Sequence, residues 1–379
     1  MKRQTVAAGV GVAVAIGTGL VWLNAAQVSS ESGSASEAVV VPAPLPMAEH
    51  PLGRIPRLPP TALARRIDLP DRAVASSGNA REATDGNPDT AWIPAKHQPA
   101  WLAMPLASRH AARLVVAWQA VGFRYPYYRT APKAYRLLVS SDSTNGRDGT
   151  WQLVETVRQN AVRTRAHVLR TPTATWLRLQ VDANWSVAPS LSEVAIYDVP
   201  ESGPVGCYLV LGDSITCASL NRFQATTGVA GSPQRRHPVF LNGGSNGIST
   251  IQGLDDLRLA LAMSPPQSHI GIALGTNDGL KHFPPAEFAD RLQRMIDAIR
   301  LSGRVPVLAR PPWTPVSDLG TYVSVVDRLV QANGLPAGPD LFAWFQAHPG
   351  EIGPDGVHPT PVGEASIRRL WNLAAGTAG

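Results

Sequence analysis

The alternation of apolar and amphipathic segments after residue 206 is the feature that most restricts the fold of this chain. Apolar runs such as CYLVL, HIGIAL and VPVLA are separated by segments with helical periodicity, including PAEFADRLQRMIDAIRLSG and PVGEASIRRLWNLAA. Strands and helices that alternate in this way form a parallel sheet with helices on both faces. We therefore predict a three-layer α/β domain over residues 206–379, with its functional groups at the carboxyl ends of the strands.

Residues 66–200 have a different pattern. Five short runs with β-like composition are separated by Gly, Asn, Asp and Pro; they are ARLVVAWQA, AYRLLVSSD, TWQLVETV, ATWLRLQVD and SEVAIYDV. Short strands with turn residues between them are typical of antiparallel β-sandwiches. Because 379 residues leave room for both regions, we predict a multidomain chain with an N-terminal antiparallel β-sandwich followed by the α/β domain.

The first 65 residues predict an export signal and a linker. Lys2 and Arg3 precede residues 4–30, a stretch without charged side chains that is rich in Ala, Gly and Val. This is typical of either a secretory signal peptide or a membrane anchor over residues 1–30, and both alternatives stay open. Residues 31–65 are rich in Pro and Ser and indicate a semi-rigid linker. We expect an exported protein that is periplasmic, cell-surface or secreted.

The chain has two cysteines, Cys207 and Cys217, which are too few for a disulfide framework. The extended residues between Cys207 and the following turn cover roughly 23 Å. Bridged cysteines need α-carbons within about 7 Å of each other. We therefore expect two free thiols.

Positive charge is concentrated in the N-terminal region. Residues 65–200 contain 17 Lys and Arg against 11 Asp and Glu, whereas residues 201–379 contain 13 against 14. A basic surface favours an anionic glycan or the cell envelope as a partner, although a merely solvated basic face is the alternative. No nucleic-acid recognition motif is present, so we expect no nucleic-acid partner.

The segment from ASSGNAREATDGNPDTAW to PSLSEVAIYDV resembles the discoidin or coagulation-factor type C family. The resemblance implies a galactose-binding-like jelly roll that binds sugar, lipid or protein through loops at one end. It also implies a structural calcium ion at TDGNPDT, with Asp85 and Asp89 as candidate ligands, whose carboxylate oxygens suit this cation. An ordinary Asp-Gly turn is the alternative for that loop.

The run FRYPYYR is the candidate ligand-binding surface of the predicted sandwich. Tyr125, Tyr127, Tyr128 and Arg129 could form an aromatic and cationic platform, because rings stack on sugar faces and Arg pairs with carboxylates. An exposed structural loop is the alternative. We assign Trp92 to the core.

Four loops of the α/β region, GDSIT, NGGSNG, GTNDG and DGVHP, resemble the four sequence blocks of the SGNH or GDSL hydrolase family, which has a flavodoxin-like fold. In that family the serine of GDS attacks an acyl carbonyl, which implies that Ser214 is the nucleophile. The resemblance also implies that the oxyanion hole comprises Ser214, Gly247 and Asn277. Asp355 and His358 of the last block would complete a catalytic triad.

These residue types suit acyl transfer in their own right. A serine hydroxyl needs a base, and imidazole titrates in the appropriate range, so His358 can accept the proton of Ser214. Asp355 can hold the imidazole in the required tautomer. No cofactor is needed for this chemistry.

One other serine lies in a nucleophile-like motif. Residues 243–247, GGSNG, match the G-x-S-x-G elbow of α/β-hydrolases, which makes Ser245 a rival nucleophile. That fold places several strands before its elbow, whereas one predicted strand of this domain precedes the strand that leads to Ser245. We therefore favour Ser214.

Together these features predict an exported serine esterase that hydrolyses short acyl esters, acetyl above all, on a polysaccharide. The residues between Ile215 and Phe240 are small and polar, without a long apolar insert for a fatty-acyl groove. The expected partner is an acylated polysaccharide or another glycan, and membrane contact would occur only through residues 1–30. The alternatives are a polysaccharide O-acetyltransferase, a lipase or thioesterase, and a surface glycan-binding adhesin.

Overall fold

The computed structural model describes residues 65–375, apart from residues 88, 96–98, 108–109, 123–126, 172, 203–206, 222–238 and 264–265. The described residues all lie within one compact unit of the chain, Val39–Gly379. The predicted export segment, nearly all of the predicted linker and Tyr125 lie outside the described residues. Within the described ranges, none of the helices combines the length and the apolar character that crossing a bilayer requires.

The described part of the chain before residue 200 is built mainly of antiparallel strands. All five predicted runs are strands, and four further strands accompany them. Three short 3₁₀ helices, Pro70–Arg72, Ala80–Ala83 and Tyr127–Thr130, connect them. The strands are β1 (Arg65–Arg66), β2 (Val74–Ala75), β3 (Ala100–Pro105), β4 (Arg113–Ala120), β5 (Ala134–Ser140), β6 (Gln152–Val157), β7 (Thr164–Arg170), β8 (Trp176–Ala183) and β9 (Leu191–Asp198).

These strands form two antiparallel sheets, with the orders β1-β9-β4-β7 and β2-β3-β8-β5-β6. Side chains of successive residues in a strand point to opposite faces. Leu102 of β3 and Leu179 of β8 belong to the same hydrophobic cluster as Leu114 and Val116 of β4, so the two sheets share a core. Trp92 lies in this cluster and is fully buried, as predicted.

Residues after 206 form the predicted α/β domain. Its parallel sheet has the order β11-β10-β12-β13-β14. The strands are β10 (Cys207–Gly212), β11 (Val239–Gly244), β12 (His269–Ala273), β13 (Val305–Arg310) and β14 (Ala337–Asp340). The helices are α1 (Ser214–Asn221), α2 (Thr250–Ala262), α3 (Thr276–Leu280), α4 (Pro285–Leu301), α5 (Gly320–Asn333), α6 (Leu341–Ala347) and α7 (Pro361–Ala374), with a 3₁₀ helix at Pro349–Glu351.

The alternation of side chains along β10 explains the three layers. Leu209 and Leu211 share a hydrophobic cluster with residues of α2, α4 and α5. Tyr208 and Val210 share another cluster with residues of α1, α6 and α7. Both faces of the sheet are therefore covered by helices, as predicted for a parallel sheet.

The antiparallel region and the α/β domain share a hydrophobic cluster. Val115 and Ala117 of β4, Ala166 of β7 and Ala195 of β9 belong to the cluster that contains Leu209 of β10. β4 and β7 pack against β11. This contact covers the second face of the β1-β9-β4-β7 sheet, which explains why every residue of β9 is buried.

Polar side chains also cross between the two regions. Gln119 Nε2 donates to Asn221 Oδ1 at 2.7 Å, and Arg163 Nη1 donates to Cys217 Sγ at 3.5 Å. Both acceptors lie on α1. Cys217 and Cys207 are free thiols and are buried, which confirms the prediction. Burial raises the pKa of Cys207 to about 12, so this thiol stays protonated and unreactive.

Candidate active site

The ends of three neighbouring strands bring the candidate loops together. Gly212 of β10 is paired with Gly244 of β11 and with Ala273 of β12. The strands are parallel, so their carboxyl ends lie at one edge of the sheet. The loops that contain Ser214, Gly247 and Asn277 therefore begin side by side.

Ser214 is the first residue of α1, and only Asp213 separates it from the end of β10. A Cβ at Gly244 would collide with the backbone of Cys217, so glycine permits the close approach of α1 to β11. The preceding Asp213 is buried and accepts a hydrogen bond from the Ile215 N–H at 3.0 Å. Burial raises the pKa of Asp213 to about 6.

His358 links the serine to a carboxylate. Its Nε2 lies 2.7 Å from Ser214 Oγ, and its Nδ1 lies 2.6 Å from Asp355 Oδ2. With the Nδ1–H donated to Asp355, Nε2 is left as the acceptor for the Ser214 hydroxyl. The side chains of His358 and Asp355 are 48% and 52% exposed, so water reaches the site.

The loop before α7 holds Asp355 in place. Asp355 Oδ1 accepts the backbone N–H groups of Val357 and His358, each at 3.0 Å. Partial burial acts to raise the pKa of Asp355, but these hydrogen bonds and that of the imidazole outweigh it and lower the pKa to about 2. Asp355 is therefore an anion at neutral pH.

The candidate oxyanion donors lie on adjacent loops. Gly247 has a φ of +73°, a conformation that favours glycine, and open space lies where its Cβ would be. Asn277 lies in α3, and its Nδ2 donates one hydrogen to the Ile248 carbonyl at 2.9 Å. The second hydrogen of this amide is available for a bound oxyanion.

Two residues that the sequence analysis did not single out support these loops. Asp278 is buried, and its carboxylate accepts the backbone N–H of Thr250 at 3.0 Å and the Thr250 hydroxyl at 2.5 Å. Lys281 Nζ donates to the Gly247 carbonyl at 3.0 Å. Asp278 belongs to the GTNDG block, so the sequence offered a signal for its contact with Thr250, whereas nothing in the sequence pattern pointed to Lys281.

The rival serine lies elsewhere. Ser245 is 4% exposed and lines a cavity together with Arg163 of the antiparallel region. Its hydroxyl is hydrogen-bonded to Asp256. His358 thus contacts Ser214 rather than Ser245.

The predicted sugar platform at FRYPYYR needs a correction. Tyr128 is only 9% exposed, and its ring packs against Trp185 with 5.0 Å between centroids. It belongs to a cluster with Leu259 of α2 and therefore cannot form part of an exposed platform. Arg129 is exposed, and the backbone of Tyr127 lies in a 3₁₀ helix.

In the predicted calcium loop, the carboxylate of Asp85 accepts hydrogen bonds from other residues of the same loop. Asp85 Oδ1 accepts the Asn87 N–H at 2.8 Å, and Asp85 Oδ2 accepts the Thr90 hydroxyl at 2.9 Å. Asp89 donates its backbone N–H to Asn87 Oδ1 at 3.1 Å. Within the described ranges, no three acidic, His or Cys side chains converge. The loop thus offers fewer acidic ligands than a typical Ca²⁺ site, and calcium binding there stays a prediction.

Part of the α/β region is similar to proteins of known activity. Residues 210–365 match the GDSL-like lipase/acylhydrolase family. An arylesterase from Vibrio mimicus is 29% identical over 132 residues, which cover 34% of this chain. The chain spans 66% of the length of this curated relative.

Several solved structures each resemble part of the chain. A lipase/acylhydrolase from Enterococcus faecalis is 25% identical, covers 45% of this chain and 96% of its own, and has a TM-score of 0.37. A catalytic mutant of Axe2, an acetylxylan esterase from Geobacillus stearothermophilus, is 16% identical, with coverages of 47% and 97% and a TM-score of 0.40. Chitosan-binding module 1 from a chitosanase/glucanase of Paenibacillus sp. IK-5 is 25% identical, with coverages of 33% and 92% and a TM-score of 0.27.

Proposed function

We propose that the protein is an exported serine esterase that removes short acyl groups, acetyl above all, from a polysaccharide, and the match of residues 210–365 to the GDSL-like lipase/acylhydrolase family supports an ester hydrolase. The observation that carries the proposal is the chain of contacts from Ser214 through His358 to Asp355. A nucleophile, a base and an orienting carboxylate in hydrogen-bond contact are the parts that acyl transfer requires.

The first half of the reaction forms an acyl-enzyme. Ser214 Oγ attacks the ester carbonyl carbon while His358 Nε2 takes the hydroxyl proton. The negative charge on the carbonyl oxygen is stabilised by the backbone N–H groups of Ser214 and Gly247 and by the Asn277 amide. The bond to the leaving sugar oxygen then breaks, and His358 returns the proton to that oxygen.

In the second half of the reaction, water takes the role of the nucleophile and Ser214 Oγ becomes the leaving group. His358 takes a proton from a water molecule, which attacks the acyl carbon, and Ser214 Oγ leaves with that proton. The half-exposed His358 and Asp355 give water direct access to the acyl-enzyme. This accessibility favours hydrolysis over transfer of the acyl group to a second sugar.

Two features support a short acyl ester of a polysaccharide as the substrate. The sequence between Ile215 and Phe240 has no long apolar insert that could line a fatty-acyl groove. The antiparallel region resembles sugar-binding jelly rolls in sequence and is joined to the hydrolase domain through a common core. The named activity of the Vibrio mimicus relative, an arylesterase, makes nitrophenyl esters suitable first substrates.

A chain-length series tests the proposal. Purified protein is assayed on nitrophenyl esters from acetate to palmitate, and acetate release is measured from an acetylated polysaccharide. We expect the highest kcat/KM with acetate and release of free acetate from the polymer. A preference for long acyl chains would instead indicate a lipase or thioesterase, and recovery of the acetyl group on an added sugar acceptor would indicate a transferase.

A further inference from the structure

The antiparallel region has a cluster of two arginines and two tryptophans on the face of its β2-β3-β8-β5-β6 sheet that points away from its core. Leu102 of β3 and Leu177 of β8 point into the core. Their neighbours in sequence, Trp101 and Arg178, therefore lie on the opposite face. Trp151 and Arg147 belong to the segment that joins β5 to β6 and that packs over this face. We name these four residues the arginine–tryptophan platform.

The guanidinium of Arg178 is held between the two tryptophan rings. Its central carbon lies 3.7 Å from the ring centroid of Trp151 and 4.4 Å from that of Trp101. The guanidinium carbon of Arg147 lies 5.3 Å from the Trp101 centroid. Two positive charges are thus fixed around one aromatic ring.

Backbone carbonyls fix the direction of both guanidinium groups. Arg178 Nη2 donates to the Gly146 carbonyl at 2.8 Å, and Arg147 Nη2 donates to the Ala75 carbonyl at 3.0 Å. Arg178 Nε is buried without a hydrogen-bond partner. Burial, followed by the charge of Arg147, lowers the pKa of Arg178. The two groups are therefore pre-positioned and electrostatically uncompensated.

The carboxylates nearest in sequence are used elsewhere. Asp148 Oδ1 accepts the Ser143 hydroxyl at 2.9 Å and the Thr144 N–H at 2.8 Å. Asp142 Oδ1 accepts the Thr150 N–H at 2.8 Å. Throughout the described ranges, no carboxylate forms an ion pair with Arg147 or Arg178. This differs from Arg136 on β5, which is paired with Asp182 at 2.8 Å.

We propose that the arginine–tryptophan platform binds an anionic polysaccharide. Carboxylate or sulfate groups of the sugar would accept hydrogen bonds from Arg147 and Arg178, whose planar guanidinium groups match such anions. The partly exposed rings of Trp101 and Trp151 would contact the apolar faces of the sugar rings. The net positive charge of residues 65–200 would favour the approach of such a polymer. This site does not depend on the proposed esterase activity.

Affinity electrophoresis of the full chain tests the site, with polygalacturonate as the carboxylated probe, dextran sulfate as the sulfated probe and dextran as the neutral control. We expect retardation by at least one anionic polymer and none by dextran. Arg147→Gln/Arg178→Gln should weaken binding about tenfold or more, because two charged hydrogen-bond donors are lost. Arg147→Gln alone, a change on an exposed loop residue, should weaken it several-fold without disturbing the fold.

Arg158→Gln is the matched control, because it removes one exposed positive charge from the same region. We expect it to change binding less than twofold, and all variants should hydrolyse nitrophenyl acetate at the wild-type rate. The proposed binding site would be overturned if Arg158→Gln weakened binding as much as Arg147→Gln, or if the double variant bound as tightly as the wild type. Absence of wild-type binding to both anionic polymers would also overturn it. Tighter platform-dependent binding to duplex DNA or to vesicles with phosphatidylglycerol would overturn the assignment to a polysaccharide.

Discussion

Ser214 Oγ and His358 Nε2 lie 2.7 Å apart, although 144 positions separate the two residues in the sequence. Ser214 is the first residue of α1, separated by one residue from the end of β10, and His358 lies in the loop that leads to α7. Contacts between α1 and α7 keep these two elements together. The geometry of the reactive pair therefore depends on helix packing as well as on the loops.

Ser214→Ala should abolish ester hydrolysis, because the hydroxyl that contacts His358 is lost. The expected decrease in kcat for nitrophenyl acetate is about 10⁴-fold or more, by analogy with other serine hydrolases. Ser245→Ala is the matched control and should retain most activity, since Ser245 is buried beside Asp256. The opposite result would transfer the role of nucleophile to Ser245.

Asp355→Asn should keep the fold but reduce kcat by several orders of magnitude. An amide at this position no longer stabilises the imidazolium and permits the wrong tautomer of His358, an effect of about 10⁴ in a known triad. Circular dichroism checks the fold, and kcat is measured between pH 6 and 9. Near-normal rates would mean that His358 works without Asp355.

Asn277→Ala should lower kcat about 10²- to 10³-fold with little change in KM, because an oxyanion donor acts mainly in the transition state. The change also removes the hydrogen bond to the Ile248 carbonyl. Asn277→Asp keeps an oxygen acceptor but loses the donors, so it should be at least as inactive. An increase in KM alone would instead place Asn277 in ground-state binding.

Arg163→Met should lower the melting temperature and also reduce kcat several-fold. Arg163 is buried between the two regions and contacts Cys217 of α1 and the Asn242 carbonyl of β11, and its loss leaves buried acceptors unpaired. Arg158→Met, at an exposed position, should change neither quantity. Unchanged activity in Arg163→Met would show that the contact serves stability alone.

The stability of the Asp256→Asn variant relative to the wild type should be greater at pH 8 than at pH 5. Burial raises the pKa of Asp256 to about 7, and its Oδ2 is buried without a hydrogen-bond partner. Between about pH 4 and pH 7, the folded wild type therefore keeps a proton on Asp256 that the unfolded chain has released. The free energy of unfolding of the wild type consequently falls as the pH rises through this range. In the variant this loss is absent.

Differential scanning fluorimetry at pH 5 and pH 8 measures this effect. The melting temperature of Asp256→Asn relative to the wild type should rise by a few degrees between the two pH values. Asp255→Asn removes the neighbouring, more exposed carboxylate and serves as the control. A constant difference between variant and wild type would contradict a raised pKa at Asp256.

The order of elements and the location of the candidate site could be predicted because both depend on local patterns. GDSIT, NGGSNG and GTNDG each follow an apolar run, and parallel strands bring such loops to one edge. The burial of Tyr128 could not be predicted, since it depends on Trp185 and on Leu259 of a distant helix. The platform was missed for the same reason, because its four residues come from different strands and a loop.

Because the two regions share a core, the antiparallel region cannot bury all of its apolar surface until the α/β domain has been synthesised. All of β1 to β9 precede β10 in the sequence, so they leave the ribosome first. The outer face of β4, with Val115 and Ala117, has no cover until β11 and α2 have been made. During that interval a nascent chain presents an apolar sheet surface to its neighbours, which is a risk of aggregation that only completion of the hydrolase domain removes.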